Sequence, residues 1–200
     1  FIKRVLGPVP KDLVPKFGKG STFNDRGNLI TVPDKMSSIL TSTHLATAYR
    51  ALVDESAWGR SHYNDVSRQT FSFFEAEVVR GNRFTTVDKD NSKRRGICIE
   101  PKLNVSLQLP IGLHIKRRLK NVCLIDLWRN QEKHREWACS ASRTGSHATI
   151  DLSNASDTIS KELVKLLLPT RWWELLNDLR SPYTLLPDGK WCKLEKFSSM

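Results

Sequence analysis

Cysteine is scarce in this 200-residue chain, with four in all. Cys98, Cys123, Cys139 and Cys192 are far apart, form no C-x-x-C pair and have no histidine at zinc-ligand spacing. That excludes a disulfide scaffold and a zinc ribbon, and points to reduced thiols serving as small core residues. Long apolar runs are also missing. Mean hydropathy is −0.41, and no stretch reaches the length needed to cross a bilayer. There is no internal repeat and no low-complexity tract. No basic-then-apolar leader is visible, and the first residue is Phe1 rather than Met.

Acid is the other shortage. Thirty-two Lys and Arg face 21 Asp and Glu, a formal net charge of +11 with a pI near 9.7. Such a field attracts polyanions, so nucleic acid is the expected partner. No amphipathic terminal helix supports a membrane surface instead, and no membrane association is expected. With 39% hydrophobic residues the chain can bury one compact core or two small lobes.

The first 40 residues are rich in Pro, Gly and Lys ("GPVPKDLVPKFGKGSTFN") and read as irregular, extended structure. Leu40, Leu45, Tyr49 and Leu52 have helical spacing. "RFTTVDKDNSKRRGICIEP" reads as two strands around a polar basic turn, closed by Pro101. "NVSLQLPIGLHIKRRLKNV" reads as a helix with one basic face carrying Lys116, Arg117, Arg118 and Lys120. "TRWWELLNDL" reads as a short helix in which the paired Trp172 and Trp173 serve core packing. Asp188-Gly189 between apolar runs signals a hairpin. Strands and helices alternate without βαβ spacing, which favours an α+β fold.

Against this basic background two acids stand out. In "HATIDLSNASDTISKELVKLLL" the alternation of Ala148, Ile150 and Leu152 with His147, Thr149, Asp151 and Ser153 predicts a strand. Its apolar face would pack on the core and Asp151 would face outward where strand gives way to helix. A carboxylate there suits a hard divalent cation working on phosphates. Asp157 has a plainer alternative, as an acid in the first helical turn with Asn154 as N-cap. The basic turn likewise could be a solvated hairpin tip or a general RNA-backbone contact.

"ATIDLSNASDTIS", "LLLP", "LRSPYTLLPDG" and "EKFSSM", with "NSKRRGICIEPKLN" and "QLPIGLHIKRRL" before them, resemble the RNA-directed RNA polymerase (replicase) beta subunit of the small positive-strand RNA bacteriophages, the levivirus-like group. The resemblance covers roughly residues 85–200 in order, with looser similarity before that, chiefly at "FGKG". It implies a right-hand polymerase, of which residues 1–142 would be a fingers region and 143–200 part of the palm: motif A, the following helices and hairpin, and the start of motif B. It implies that Asp151 is a catalytic, metal-binding carboxylate and that Asp157 lies near the ribose of the incoming nucleotide. Lys89 and Arg95, with Lys93 and Arg94 beside them, would contact the triphosphate. Ser198 and Ser199 would begin motif B, and Arg117 and Arg118 could lie along RNA. Asp88 stands where the family carries proline.

The chain contains no Gly-Asp-Asp, the family motif that supplies the remaining metal-binding acids. It therefore reads as an internal fragment, inactive alone, whose Mg²⁺ or Mn²⁺ site is completed elsewhere in a longer replicase. The family further implies RNA template and product, ribonucleoside triphosphates, the host translation elongation factors Tu and Ts and a ribosomal protein as partners, in the cytoplasm of the bacterial host. The competing readings are a non-catalytic basic RNA-binding protein and a reverse-transcriptase-like palm enzyme. The first lacks an RRM-like aromatic signature, and the small polar residues after Asp151 argue against the second.

Overall fold

Helix formation in the middle of the chain starts at Pro101, whose fixed extended backbone opens the long α3, Lys102–Cys123. The computed structural model describes residues 1–28, 30–44, 46, 47, 76–150, 152, 153 and 155–198. The other described helices are α1 (Ile2–Leu6), α2 (Val32–Ser37), α4 (Asn130–Thr144), α5 (Lys161–Leu167) and α6 (Thr170–Leu179). The strands are β1 (Leu40–Ser42), β2 (Ala76–Val78), β3 (Asn82–Asp88), β4 (Arg94–Ile99), β5 (Tyr183–Leu185) and β6 (Trp191–Lys193). The protein is thus mixed α and β, with small sheets. No described helix is long and apolar enough to cross a membrane.

Leu103, Leu107 and Ile111 recur at four-residue steps on α3, and Trp172, Leu175 and Leu179 form the matching stripe on α6. The two stripes meet in one core with Leu6, Leu13 and Leu40. Each such side chain contributes about 1.5–3 kcal/mol on burial. The Trp172 indole also donates to the Gly7 carbonyl at 2.8 Å, tying the N-terminal segment to α6. Two α3 amides finish the junction: Asn104 Nδ2 at 3.0 Å and Gln108 Nε2 at 2.7 Å both donate to the Leu179 carbonyl at the end of α6.

Pro110 lies inside α3. It has no N–H for the Ser106 carbonyl four residues back, and the backbone N–H of Lys16 fills that place at 2.8 Å. The irregular N-terminal segment therefore completes the helix that covers it.

Strand order in the larger sheet is β4-β3-β5-β6, with β3 antiparallel to β4, parallel to β5, and β5 antiparallel to β6. It joins strands from both sides of residue 142. Gly81 is required where β3 meets β5, because a Cβ there would lie 1.9 Å from the Tyr183 carbonyl oxygen. β1 and β2 form a separate parallel pair. The hairpin expected at Asp188-Gly189 is present, with Gly189 at φ 82°.

Several expectations are corrected. Leu40–Ser42 is a buried strand rather than the start of a helix; Leu45, Tyr49 and Leu52 lie outside the described residues. The first 40 residues are largely irregular but hold two short helices. Residues 147–150 form no strand, and Ile150 and Leu152 are 83% and 69% exposed. Alternation shows only that a segment could present one face. A strand also needs a neighbour to bond, and none of the described strands pairs with this segment. Helix α5 begins only at Lys161, with Ser160 as its N-cap accepting from Leu163 N at 3.1 Å. Asp157 therefore does not lie in a first helical turn. The cysteines are all free, but only Cys98 and Cys123 are half-buried; Cys139 and Cys192 are exposed rather than in the core.

Candidate nucleotide site

Phe84, Thr85, Thr86 and Val87 favour a pleated strand, and β3 and β4 pair in register from Arg83↔Ile99 to Asp88↔Arg94. Gly96 keeps the ladder closed, because a Cβ there would meet the Phe84 ring at 2.7 Å. The residues between the strands, Lys89 to Lys93, form the tip. Asp90 organises it: its Oδ1 accepts from Ser92 N, Ser92 Oγ and Lys93 N, each at 2.9 Å. Those bonds, led by the Ser92 amide, hold its carboxyl below the usual carboxylate range.

Asp88 continues the strand. Its carboxylate pairs across the ladder with Arg94 Nε at 3.2 Å, both side chains largely in water. Lys89, Lys93 and Arg95 are exposed, with no ion pair to another described residue. Alternation places Arg94 and Arg95 on opposite faces of β4. The tip is a cationic finger with four basic side chains, one of them tethered.

The other end of the hairpin is anchored. Glu100 accepts from Asn82 Nδ2 at 2.7 Å and from Ser181 Oγ at 2.6 Å, joining β3 to the segment that leads into β5. Cys98 Sγ lies 3.6 Å from Thr184 Oγ1, and burial pushes its thiol up. Cys98, Glu100, Gln108, Ile111, Arg180 and Ser198 line one cleft between the sheet, α3 and α6. Ser198 is thus placed against the base of the hairpin.

Asp151 and Ser199 lie outside the described residues. Asp157 is in a turn and forms an ion pair through Oδ1 with Lys196 Nζ. The charges of Lys196 and Asp157 both act on the Cys98 thiol. The structure therefore brings Asp157, Lys196 and Ser198 to the Cys98 end of β4. The five residues back to Lys93 span about 17 Å of strand, so the basic tip and this cluster occupy two ends of one element. Among the described residues no group of three or more His, Cys, Asp or Glu is placed to hold a metal ion.

Arg117 and Arg118 part company. Arg117 is exposed. Arg118 turns inward, its Nε donating to the Val5 carbonyl and its Nη2 to the Arg4 carbonyl, both at 2.8 Å. It closes the C-terminal end of α1, where a cation is favoured.

Sequence reasoning missed Lys196, Glu100 and Arg180. Lys196 lies inside "EKFSSM", but its charge carried no signal in a chain this basic. Arg180 Nη2 donates to the Leu194 and Lys196 carbonyls at 2.9 and 3.1 Å, partners invisible before folding.

The sequence model of the family described as "RNA replicase, beta-chain" matches residues 24–200. The chain belongs to this family. It is 37% identical over 168 residues to the RNA-directed RNA polymerase subunit beta of Enterobacteria phage SP, covering 77% of this chain and 29% of that protein. It is 46% identical over 127 residues to the subunit of Escherichia virus Qbeta, covering 62% and 21%. The beta chain of Enterobacteria phage fr is 38% identical over 184 residues, covering 92% and 33%. The chain thus spans about a third or less of the length of these relatives.

Proposed function

We propose that these residues are the nucleotide-entry part of a phage RNA-directed RNA polymerase, with a fingers region over 1–142 and part of a right-hand palm over 143–200. One observation carries this reading: the replicase family match runs through both the basic β3–β4 hairpin and the Asp157–Ser198 segment. The relatives' names as polymerases favour it over a binding module or a reverse transcriptase.

The reaction is template-directed nucleotidyl transfer, in which the 3′-hydroxyl of growing RNA attacks the α-phosphate of a ribonucleoside triphosphate and pyrophosphate leaves. Lys89 and Lys93, at the far end of the hairpin, attract the triphosphate, and Arg94 and Arg95, nearer the Asp157 end of β4, hold it; Arg can fork onto two oxygens, and Lys acts as a point charge. Asp157 accepts a hydrogen bond from the ribose 2′-hydroxyl, and Ser198 and Ser199 flank the nucleotide. Asp151 supplies one carboxylate to a divalent ion, Mg²⁺ or Mn²⁺, which when bound neutralises charge at the reacting phosphate. The resemblance to the polymerase family implies that the remaining acids of that site come from elsewhere in the replicase. The setting is the cytoplasm of the bacterial host, with the elongation factors Tu and Ts and a ribosomal protein as companions of the working enzyme.

The test is Asp151→Asn in the full-length replicase. Primer extension falls by orders of magnitude while RNA affinity stays within about twofold. Loss of RNA binding in step with activity overturns the assignment.

A further inference from the structure

Asp157 and Lys196 are 39 residues apart in sequence, yet they form an ion pair. The two sides of this contact are unlike. Asp157 stands in a stretch of turn, Ala155 to Thr158. Lys196 stands on a backbone pinned on both flanks. It bridges Ser160 in antiparallel fashion. Lys161 N donates to the Glu195 carbonyl and Phe197 N to the Ile159 carbonyl, both at 2.8 Å. Arg180 holds the Leu194 and Lys196 carbonyls from behind. A cation on a pinned backbone therefore grips a carboxylate carried on a turn.

The pair is not a device for stability. Asp157 is 43% exposed and Lys196 27%, and ion pairs in that range add little to folding. Its consequence is geometric. Lys196 engages Oδ1 and leaves Oδ2 of the same carboxylate to accept a hydrogen bond from a hydroxyl group. A group that must tell a ribose from a deoxyribose has to be held to within a fraction of an ångström. Lys196 also lies two residues before Ser198, so the pair locks the turn carrying Asp157 to the segment leading into the cleft.

We infer that Lys196 is a positioning residue for sugar selection, holding Asp157 so that its second carboxylate oxygen meets the 2′-hydroxyl of the incoming nucleotide. This rests on the assignment of Asp157 to the ribose. In this role Lys196 acts through Asp157. Arginine at this position keeps the charge but can fork onto both carboxylate oxygens, whereas methionine keeps the stem and removes the grip.

The experiment measures single-nucleotide incorporation by the full-length replicase, with ATP and with dATP, for the wild type, Lys196→Met, Lys196→Arg, Asp157→Asn and the double variant Asp157→Asn/Lys196→Met. Lys196→Met should lower the ATP-over-dATP ratio of kcat/KM by about tenfold or more, mainly through the KM for ATP. Lys196→Arg, which keeps the charge but can take both oxygens, should restore the ratio only in part, and the double variant should be no less selective than Asp157→Asn alone. If Asp157→Asn lowers the ratio and Lys196→Met does not, the positioning role is overturned and the ribose assignment stands. If Asp157→Asn leaves the ratio unchanged, the ribose assignment falls and takes the inference with it. Equal loss for both nucleotides in Lys196→Met, with a lowered Tm, marks a brace of the fold and also overturns it.

Discussion

Lys102 Nζ lies 3.4 Å from Asp25 Oδ2, with the side chains 0% and 3% exposed. The pair is fully bonded. The ammonium also donates to the Lys35 carbonyl at 2.7 Å and to Ser38, while Asp25 accepts from Thr22 and from Ser38 Oγ. It fastens the first turn of α3 to the irregular N-terminal segment. Lys102→Met strands a buried carboxylate and should cost about 3–5 kcal/mol, whereas Asp25→Leu/Lys102→Met should recover most of that loss. Thermal melts of the two variants check this, and equal destabilisation by both would show that the charges matter individually rather than as a pair.

The same pair sets an acid limit. Burial alone would raise the Asp25 carboxyl, but hydrogen bonds from Ser38 and Thr22 and the charge of Lys102 outweigh it and hold it below its ordinary 3.8. A depressed acid contributes stability that is present above the unfolded value and lost as pH falls through the folded one. Burial pushes Lys102 below its ordinary 10.5, so its cost is relieved only as pH rises through the folded value towards 10.5. Stability should therefore fall below about pH 4, and Asp25→Asn should flatten that limb while lowering stability at neutral pH. Denaturant midpoints between pH 3 and 7 give the comparison.

Two glycines should respond oppositely to alanine. At Gly81 the new Cβ would lie 1.9 Å from the Tyr183 carbonyl oxygen. Backbone meets side chain there, and the β3–β5 pairing must open, at a cost of about 3 kcal/mol or more. At Gly112, inside α3, nothing lies within 4 Å. Alanine there should stabilise by about 0.5–1 kcal/mol through helix propensity. A shared sign in the measured Tm shifts would refute the close approach.

Local patterns made some elements readable in sequence and left others hidden. The β3–β4 hairpin and α6 follow from strand propensity around a polar turn and from an apolar stripe of period 3.6, and both formed where expected. Residues 147–150 show the limit of such patterns, since alternation says nothing about a bonding neighbour. Pro110 shows the reverse: it argues for a break in α3, and only the fold reveals that Lys16 supplies the missing bond to Ser106. Among the site residues, the basic tip was legible because its charges cluster in sequence. The partnership of Asp157 with Lys196 was not, because it is made by a chain reversal that no local signal encodes.

The tip offers a case where electrostatics and geometry predict opposite signs. Asp90→Ala removes an acid from among Lys89, Lys93, Arg94 and Arg95, which by charge alone should tighten triphosphate binding. It also removes the three hydrogen bonds that shape the turn. If the tip works by placement, the KM for nucleotide should rise about threefold to tenfold in Asp90→Ala and much less in Asp90→Asn, whose Oδ1 still accepts. A lower KM in Asp90→Ala would mean that net charge governs. Lys89→Met and Arg95→Met should each raise KM on either account.

Arg117 and Arg118 are neighbours whose substitutions should separate cleanly. Arg118→Met empties the donors at the Arg4 and Val5 carbonyls and should destabilise by about 1–3 kcal/mol, with RNA affinity unchanged under conditions where the protein remains folded. Arg117 is exposed. If it lies along RNA, Arg117→Met should leave the Tm within about a degree and reduce the salt dependence of RNA binding by about one counterion. Melting curves and RNA affinities over a range of salt concentrations measure both. A change of salt slope in Arg118→Met at constant Tm would return it to the RNA-facing set, and no change in either quantity for Arg117→Met would leave that residue as ordinary solvated surface.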